Sequence, residues 1–310
     1  MKRGRTKIEW AEDVWNPVTG CNKISQGCKF CYAATMHKRL QGMGLAKYQR
    51  DFELGPVTHE NELLTPLLNK KPTIYFSPSM SDLFHKDVPW KFIDRVYHTI
   101  ANCPQHRFLI LTKRSDIMAA YHADRQHRIY NVMHGVSVED QENARVRIPD
   151  LVRVPGPRFL SCEPLLGPLQ LRQVCQVSEI DWVICGGESG GARVRPMHPR
   201  WVKDLREECA RASVPFFFKQ WGQFMYFRPT ELPAGSRIRY RYSEGRFHRV
   251  NKNWSPVAET TDELVCVSVG KKVSGALLDG QVVQNLPAFF TQALPDHSMW
   301  RWGGVPLTIH

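Results

Sequence analysis

Three cysteines within a short stretch constrain this chain more than any other feature. Cys21, Cys28 and Cys31 are spaced C-x6-C-x2-C, and the next cysteine along the chain is Cys103. A structural zinc site needs four protein ligands, usually supplied as two pairs. Three thiolates instead suit an iron–sulfur cluster whose remaining iron stays open to a substrate or a cofactor. We therefore predict that these cysteines hold a metal centre with one free position.

Two other interpretations stay open from the residues alone. The cysteines can be unrelated core residues, or they can bind zinc with a distant histidine such as His37 or His59 as the fourth ligand. Against the first alternative, Gly20 and Gly27 each directly precede a cysteine. A glycine there lets the backbone fold tightly around a metal centre.

The charge of the chain favours a polyanionic partner. The 310 residues carry a formal net charge of +12. Neutralising phosphates with Lys and Arg releases counterions and drives association with nucleic acid. A basic surface that only keeps the protein in solution is the alternative. The distribution of the charge along the chain decides between the two.

The composition also narrows the compartment. No apolar stretch approaches the roughly 18 residues of a membrane span, and the basic N-terminus Met1–Lys7 is not followed by the apolar region of a secretory signal. Nine cysteines, an odd number without a regular framework, indicate a reducing environment rather than disulfides. We expect a cytoplasmic protein without a membrane partner, and a monomer in preference to an oligomer.

Short apolar runs alternate with longer amphipathic segments through most of the chain. This rhythm predicts parallel strands and helices, an α/β fold in the form of a full or partial (β/α) TIM-type barrel over residues 1–224. Residues 225–310 are predicted to form a C-terminal extension that contains a β-hairpin and packs on the barrel. The predicted strands are 73–76, 107–111, 131–136, 158–160, 181–184 and 214–218, and the predicted helices are 28–41, 89–102, 115–123, 139–146 and 199–212.

Polar or glycine residues follow the predicted strands. In a barrel the carboxyl ends of the strands form the site, so we expect these residues to meet the cysteine stretch on one face. Each has an alternative role, since a Ser or Asp after a strand often caps a helix. Consecutive glycines after Cys185 let the backbone come close to a ligand. The candidate ligand-binding residues are Ser77, Ser79, Asp82, Lys113, Ser137, Glu139, Gly186, Gly187 and Glu188.

Residues 235–254 alternate strictly around a Ser-Glu-Gly turn, which predicts a β-hairpin. Arginines bind phosphates, and aromatic rings stack on bases or wedge into a duplex. The alternative is a solvated face over an aromatic core. With Arg114, which follows an earlier strand, the candidate nucleic-acid contacts are Arg237, Arg239, Tyr240, Arg241, Tyr242, Arg246 and Arg249.

The cysteine stretch resembles a known signature. Cys28-Lys-Phe30-Cys31 is similar to the end of the radical S-adenosylmethionine (SAM) motif C-x3-C-x-aromatic-C, although six residues rather than three separate Cys21 from Cys28. The wider context, Trp15-Asn-Pro-Val-Thr-Gly-Cys with a late segment at 269–280, resembles the three-cysteine-motif proteins of phages and bacterial mobile elements. That family has long had no known function.

The radical SAM resemblance implies two cofactors. A [4Fe–4S] cluster would be held by the three cysteines, and SAM would bind its open iron with Phe30 beside it. Polar strand tips such as Ser77, Ser79, Asp82, Ser137 and Glu139 would contact SAM, and Lys113 would meet its carboxylate. A thiol near a substrate radical can donate a hydrogen atom. The resemblance thus makes Cys162 and Cys185 candidate catalytic residues, with Glu163 to orient an amine or a base edge; the structural alternative for both thiols is a buried core cysteine.

The leading hypothesis from the sequence is a radical SAM-type enzyme that acts on nucleic acid, with an external electron donor. DNA is the favoured substrate, and the activity is either a lyase that repairs pyrimidine photoproducts or a base modification. One alternative is radical SAM tailoring of a peptide or small molecule. The other is a non-catalytic nucleic-acid-binding protein stabilised by zinc or a cluster.

Overall fold

The computed structural model describes residue 6 and residues 8–190, 193–233, 235–251, 264–296, 299–302 and 305–306. The basic N-terminal residues 1–5 and 7, and the end of the predicted hairpin segment beyond 251, lie outside these ranges. The helices are α1 (Tyr32–Gly42), α2 (Leu64–Leu68), α3 (Trp90–Ala101), α4 (Ser115–Arg125), α5 (Gln141–Val152), α6 (Pro199–Arg211) and α7 (Lys271–Ser274). The strands are β1 (Asp13–Val14), β2 (Val18–Thr19), β3 (Val57–Thr58), β4 (Ile74–Ser77), β5 (Arg107–Thr112), β6 (Val132–Ser137), β7 (Arg158–Cys162), β8 (Trp182–Gly186), β9 (Phe216–Gln220), β10 (Phe224–Phe227), β11 (Ile238–Ser243), β12 (Arg246–Arg249), β13 (Leu264–Ser268), β14 (Leu277–Leu278), β15 (Gln281–Val282), β16 (Arg301–Trp302) and β17 (Val305–Pro306).

Seven parallel strands form the centre of the fold. Their order is β1-β4-β5-β6-β7-β8-β9, and every neighbouring pair is parallel. The sheet is curled but open, so the prediction of a full or partial barrel is met by the partial form. Helices α3 to α6 each follow one strand and precede another. This is the strand–helix alternation that the sequence pattern predicts.

The two faces of the sheet bury different apolar clusters. Successive side chains of a strand point to opposite faces. On the outer face, residues such as Ile110, Val136 and Val183 pack with helix residues such as Val96 and Leu205. The inner face carries a smaller cluster that includes Phe76, Leu109, Met133, Phe159, Trp182 and Phe217. Because both faces are covered, the strands read as nearly continuous apolar runs.

The C-terminal extension contains a separate antiparallel sheet of order β10-β13-β11-β12. Strands β11 and β12 form the predicted hairpin, with Ser243 opposite Arg246. Glu244 and Gly245 between them have φ of 53° and 75°, the left-handed values that a tight hairpin turn requires. The domain boundary at residue 224 stays a prediction. Among the described residues, no helix is long and apolar enough to cross a membrane.

Candidate active site

The cysteine loop, residues 20–31, is fastened to the carboxyl end of the parallel sheet. The Gly20 amide donates to the Met80 carbonyl at 3.1 Å, and the Ser81 hydroxyl donates to the Gly20 carbonyl at 2.5 Å. Both partners directly follow β4 in the chain. The side chain of Ser25 reaches further across the sheet, to Glu139 after β6. The loop therefore lies on the face where the strand tips converge.

The glycines before the first two cysteines are required by close packing. Gly20 has φ of 82°, and a Cβ there would lie 2.3 Å from the Gly55 carbonyl oxygen. A Cβ on Gly27 would lie 2.3 Å from Oε1 of Glu139. Real Cβ atoms do not approach this closely, so a larger residue at either place would displace the loop. The two glycines therefore allow the loop to pack closely against Gly55 and Glu139.

Asp82 and Arg114 join the first cysteine to the sheet. Asp82 accepts from the Thr112 hydroxyl at 2.6 Å and from Arg114 Nη1 at 3.0 Å. The same guanidinium donates to Cys21 Sγ at 3.6 Å and to the Asn22 carbonyl at 3.2 Å. Both charged side chains are buried. The structure thus directs Asp82 and Arg114 at each other and at the loop, and their predicted contacts with SAM and with a phosphate stay predictions.

Glu139 forms a second anchor. Its carboxylate accepts from Ser25 Oγ at 2.7 Å and from Arg147 Nη1 at 2.7 Å, and it pairs with Lys113. The side chain is fully buried. Burial alone would raise the pKa of Glu139, but Lys113 and Arg147 together hold it below its usual value. Glu139 and Lys113, both predicted to contact the cofactor, contact each other and support the loop.

Each cysteine of the loop has its own electrostatic surroundings. Burial and then Asp82 raise the pKa of Cys21 to about 11, against the lowering effect of Arg114. Burial alone would also raise the pKa of Cys28, but Lys113 and hydrogen bonds from the Ile24–Ser25 segment bring it below its usual value. Cys31 is the N-cap residue of α1. The positive end of the helix dipole lies there and favours an anionic ligand.

The three thiolates of the loop are the kind of ligand set that an iron–sulfur cluster takes. Within the described residues, no three or more His, Cys, Asp or Glu side chains surround one point as a single ion requires. His37 is hydrogen-bonded to the Arg50 carbonyl at 2.8 Å, and His59 to the Thr19 hydroxyl at 2.8 Å. Each of these hydrogen bonds uses Nε2 and leaves Nδ1 of the ring, so a zinc site completed by a histidine stays an alternative. An iron–sulfur cluster needs thiolates alone, and the loop supplies three.

Below the loop, the inner face of the sheet carries a polar pair. Glu163 follows β7 and pairs with Lys219 of β9 at 2.8 Å, and Ser161 donates to it at 3.3 Å. A Cβ on Gly186 would lie 2.9 Å from Glu163 Oε1, so this glycine leaves room for the carboxylate. Both charged side chains are partly exposed. They form the polar boundary of the inner apolar cluster at the carboxyl end of the sheet.

The glycine-rich tip after β8 packs against protein. A Cβ on Gly187 would lie 2.1 Å from the Trp221 carbonyl oxygen, so close backbone packing explains this glycine. Glu188 accepts from the Arg195 amide at 2.8 Å and from Arg195 Nε at 3.0 Å. Arg195 also donates to the Gln26 carbonyl of the loop at 2.9 Å. These contacts occupy the groups that we predicted would hold SAM.

Phe30 and Ser79 also contact neighbouring residues, whereas the hydroxyl of Ser77 does not form a hydrogen bond among the described residues. The Arg195 guanidinium lies 5.4 Å from the Phe30 ring centroid, and the ring packs on the core of the C-terminal sheet. The Ser79 amide donates to Asn16 Oδ1 at 2.7 Å. The Ser77 hydroxyl is buried and finds no hydrogen-bond partner among the described residues. Ser137 is buried on β6.

Cys162 and Cys185 lie on the outer face of the sheet. They are register partners on β7 and β8 and belong to the outer apolar cluster with Cys209 of α6. Both are fully buried, and burial raises the pKa of both thiols well above the usual value. The structure places them away from the cysteine loop, in the surroundings of structural core cysteines. Only Glu163 of the three predicted catalytic residues borders the inner face.

The hairpin has one basic and one aromatic face. Arg241, Arg246 and His248 share the first, because Arg241 lies opposite His248 and Arg246 lies opposite Ser243. Arg239 lies where the register between β11 and β13 shifts. The Tyr240 hydroxyl donates to the Val194 carbonyl at 3.2 Å. Tyr242 packs 4.1 Å, between ring centroids, from His198 at the start of α6. The two tyrosines are half-buried and pack against the core clusters, and their role as base contacts stays a prediction.

Three arginines of the hairpin region are exposed to solvent. Arg237 precedes β11, and Arg246 and Arg249 lie on β12. Arg249 stands opposite Tyr240, on the aromatic face, so the exposed charge is not confined to one face of the hairpin. These side chains are available to a polyanion.

Comparison with known proteins places the chain in a family. A family profile described as "Protein of unknown function (DUF5131)" matches residues 5–287. The chain belongs to the DUF5131 family. The search of curated proteins found no match to this DUF5131 protein.

Several solved structures show a weak likeness to the DUF5131 chain. A cysteine-to-serine variant of spore photoproduct lyase has a TM-score of 0.39 at 10% identity, over 68% of this chain and 76% of that one. A spore photoproduct lyase complexed with dinucleoside spore photoproduct has a TM-score of 0.34 at 11% identity, over 67% and 75%. A double variant with bound AdoMet and the dinucleoside has a TM-score of 0.33 at 10% identity, over 79% and 70%. Function must therefore follow from the residues of the DUF5131 chain itself.

Sequence reasoning missed three residues that complete the candidate site. Arg147 holds Glu139, Arg195 holds Glu188 and the loop, and Lys219 holds Glu163. Two of them left a signal in the sequence. Arg147 lies on the buried stripe of α5 with Ala144, Ile148 and Leu151, and Lys219 ends an aromatic strand. A charge at such a position needs a buried partner.

Proposed function

We propose that this protein is a radical SAM-type iron–sulfur enzyme in which Cys21, Cys28 and Cys31 hold a [4Fe–4S] cluster. One observation carries the proposal. The loop with these three cysteines is fixed to the carboxyl end of a parallel half-barrel by two buried ionic networks, at Asp82 and at Glu139. Three thiolates leave one iron of a cluster unligated by protein. When loaded, the cluster and SAM would supply an electron and an organic radical for hydrogen abstraction.

The chain's own residues would position and shield this chemistry. Arg114 and Glu139 fix the loop over the sheet, and the inner apolar cluster below it excludes water. Glu163 and Lys219 present a carboxylate and an ammonium group at the boundary of that cluster. We assign them to polar groups of SAM or substrate, with Ser137 beside them. Asp82, Glu139 and, through Arg195, Glu188 also support the loop, and their predicted contacts with SAM stay predictions.

We further propose that the substrate is nucleic acid, and DNA in particular. The net charge of +12 and the exposed Arg237, Arg246 and Arg249 support a phosphate-binding surface. The activity would be repair of a pyrimidine photoproduct or modification of a base. Flipping a damaged base out of the stack costs less free energy than flipping an intact base. An external donor would supply the electron.

If the hairpin binds DNA, a hairpin variant should bind DNA with an affinity that depends less steeply on the salt concentration. Arg246→Gln/Arg249→Gln should reduce the slope of log K against log salt by about two, since each phosphate contact contributes about 0.9. The matched control is Lys70→Gln/Lys71→Gln, which removes two exposed charges before β4, at the opposite end of the sheet. Fluorescence anisotropy with a labelled duplex measures both slopes. Equal slopes for the two variants would contradict the assignment of the hairpin.

A product assay tests the catalytic half of the proposal. Reconstituted protein is incubated anaerobically with SAM, dithionite and either ultraviolet-irradiated or undamaged DNA. We expect 5′-deoxyadenosine and methionine from the wild type, none from Cys28→Ala, and wild-type amounts from Cys175→Ala, which alters a partly exposed cysteine outside the loop. A product that depends on irradiated DNA supports photoproduct repair. No SAM cleavage by iron-loaded protein with any DNA would contradict the proposed activity.

A further inference from the structure

The Arg114 guanidinium contacts the cysteine loop and the sheet at the same time. Its Nη1 donates to Cys21 Sγ at 3.6 Å and to Asp82 Oδ2 at 3.0 Å, and its Nη2 donates to the Asn22 carbonyl at 3.2 Å. Arg114 is 8% exposed and Asp82 is 4% exposed. Both charges are therefore held in surroundings where water screens them little.

Asp82 is itself fixed from several sides. Apart from Arg114, it accepts from the Thr112 hydroxyl at 2.6 Å, the Lys113 amide at 3.0 Å and the Phe84 amide at 3.1 Å. A carboxylate with four donors does not reorient easily, so it holds the guanidinium in a single place. Thr112 at the end of β5, Asp82, Arg114 and the sulfur of Cys21 are thus joined by consecutive hydrogen bonds.

We propose that Arg114 is a positioning residue that sets the reduction potential of the cluster through Cys21, with Asp82 acting in the opposite sense. This inference rests on the proposed function. Hydrogen bonds to the sulfurs and the net charge nearby set the potential of an iron–sulfur cluster. Reduction adds negative charge to the cluster. The guanidinium therefore favours the reduced form, and the carboxylate disfavours it.

The surroundings of the other two sulfurs distinguish Cys21 from them. Cys28 lies 3.7 Å from the Ser25 hydroxyl, which donates its proton to Glu139, and the Lys113 ammonium acts on Cys28 without a hydrogen bond described to its sulfur. Cys31 lies at the N-terminus of α1. Cys21 receives a charged donor held by a buried carboxylate. A change at Arg114 should therefore alter the cluster without removing a ligand.

Two variants with opposite expected signs test the inference. Arg114→Gln removes the cation and should lower the reduction potential of the cluster by about 59 mV. For one electron, this is about a tenfold lower ratio of reduced to oxidised cluster at a fixed potential. Asp82→Asn removes the carboxylate and should shift the potential upward. Arg125→Gln is the matched control. Arg125 forms an ion pair with Asp94, with 2.7 Å between Nε and Oδ1, and this pair is not part of the contacts of the cysteine loop. The measurement is a dye-mediated titration of anaerobic protein, followed by electron paramagnetic resonance, with iron determined on each sample.

Opposite shifts at equal iron content support the inference, since a purely structural role predicts no sign reversal. Shifts of the same sign, or shifts no larger than that of Arg125→Gln, overturn it. If Arg114→Gln does not fold, Asp82→Asn decides alone, because an unchanged or lowered potential contradicts the role given to the pair. Wild-type protein without iron overturns the proposed function and this inference with it. Iron-loaded protein with unshifted potentials overturns this inference alone.

Discussion

Two groups of three cysteines occupy different places around the same sheet, one at its carboxyl end and one on its outer face. Cys21, Cys28 and Cys31 lie in the loop at its carboxyl end, near Arg114, Lys113 and the N-terminus of α1. The second group lies between the sheet and α6 in the outer apolar cluster, and consists of Cys162, Cys185 and Cys209. Burial is the largest influence on the pKa of every thiol in the second group and raises each one.

The comparison shows that surroundings decide what a cysteine can do. In the loop, charged groups lie near Cys21 and Cys28, the pKa of Cys28 is lowered although burial still raises that of Cys21, and two of the three thiols are partly exposed. In the outer core, the neighbours are apolar, so a thiolate would be costly there and the side chain acts as a small hydrophobe. A count of cysteines along the sequence does not separate the two groups. What separates them is that one group lies in the loop and the other between the outer face of the sheet and α6.

The largest expected difference between the groups is in metal content. Cys28→Ala should reduce iron from about four per chain to less than one, because a cluster with two protein ligands is not retained. Cys162→Ala should keep its iron and lose about 1–3 kcal/mol of unfolding free energy, as buried substitutions do. Iron analysis and urea unfolding measure the two effects. Iron loss in Cys162→Ala with retention in Cys28→Ala would reverse the assignment.

The next effect concerns the anchor of the loop. Glu139→Gln leaves Lys113 and Arg147 without their carboxylate, and should cost about 3–5 kcal/mol of unfolding free energy at pH 7. The folded pKa of Glu139 lies below its usual value. Its contribution is therefore fully present above the unfolded pKa, about 4.3, and is lost as the pH falls through the folded pKa.

Urea unfolding of wild type and Glu139→Gln at pH 7 and below pH 4 measures this loss. The difference between the two proteins should narrow at the lower pH. Glu207→Gln is the control, since Glu207 forms an exposed pair with Arg211 and should change stability by at most about 0.5 kcal/mol. A constant difference at both pH values would show that Glu139 does not stabilise the loop through its charge.

A smaller effect is expected from the glycine beneath Cys28. Gly27→Ala places a methyl group against Glu139 and should cost about 1–3 kcal/mol of unfolding free energy, with a loss of iron. Gly42→Ala provides the contrast, because no atom lies within 4 Å of the added Cβ at the end of α1. That substitution should be neutral or stabilise by up to about 1 kcal/mol. Equal effects at both positions would remove the packing argument for Gly27.

The sequence pattern predicted the fold well because strands and helices are local. The predicted helix 199–212 became Pro199–Arg211, and the predicted strand 107–111 became Arg107–Thr112. The helix predicted at 28–41 begins later, at Tyr32, because residues 26–28 form a 3-10 turn and Cys31 caps the helix. The cysteine loop and the strand tips meet at one face as the barrel rule predicts.

The partners of the tip residues could not be predicted in the same way. Asp82 follows β4 and Arg114 follows β5, and their contact depends on how the two segments after these strands lie in space. The spacing of residues along the sequence does not give that arrangement. The hairpin was predictable, but its buried face was not, since aromatic residues serve cores and nucleic acids alike. His198 and Val194, which hold Tyr242 and Tyr240, come from a distant part of the chain.

The most direct test of the account is the metal content and visible spectrum of anaerobically purified protein, recorded before and after addition of SAM. We expect about four irons and four sulfides per chain, and a visible spectrum that changes when SAM is added. Stoichiometric zinc without iron, even after reconstitution, would contradict this expectation. The basic hairpin would then belong to a zinc-stabilised nucleic-acid-binding protein without radical chemistry.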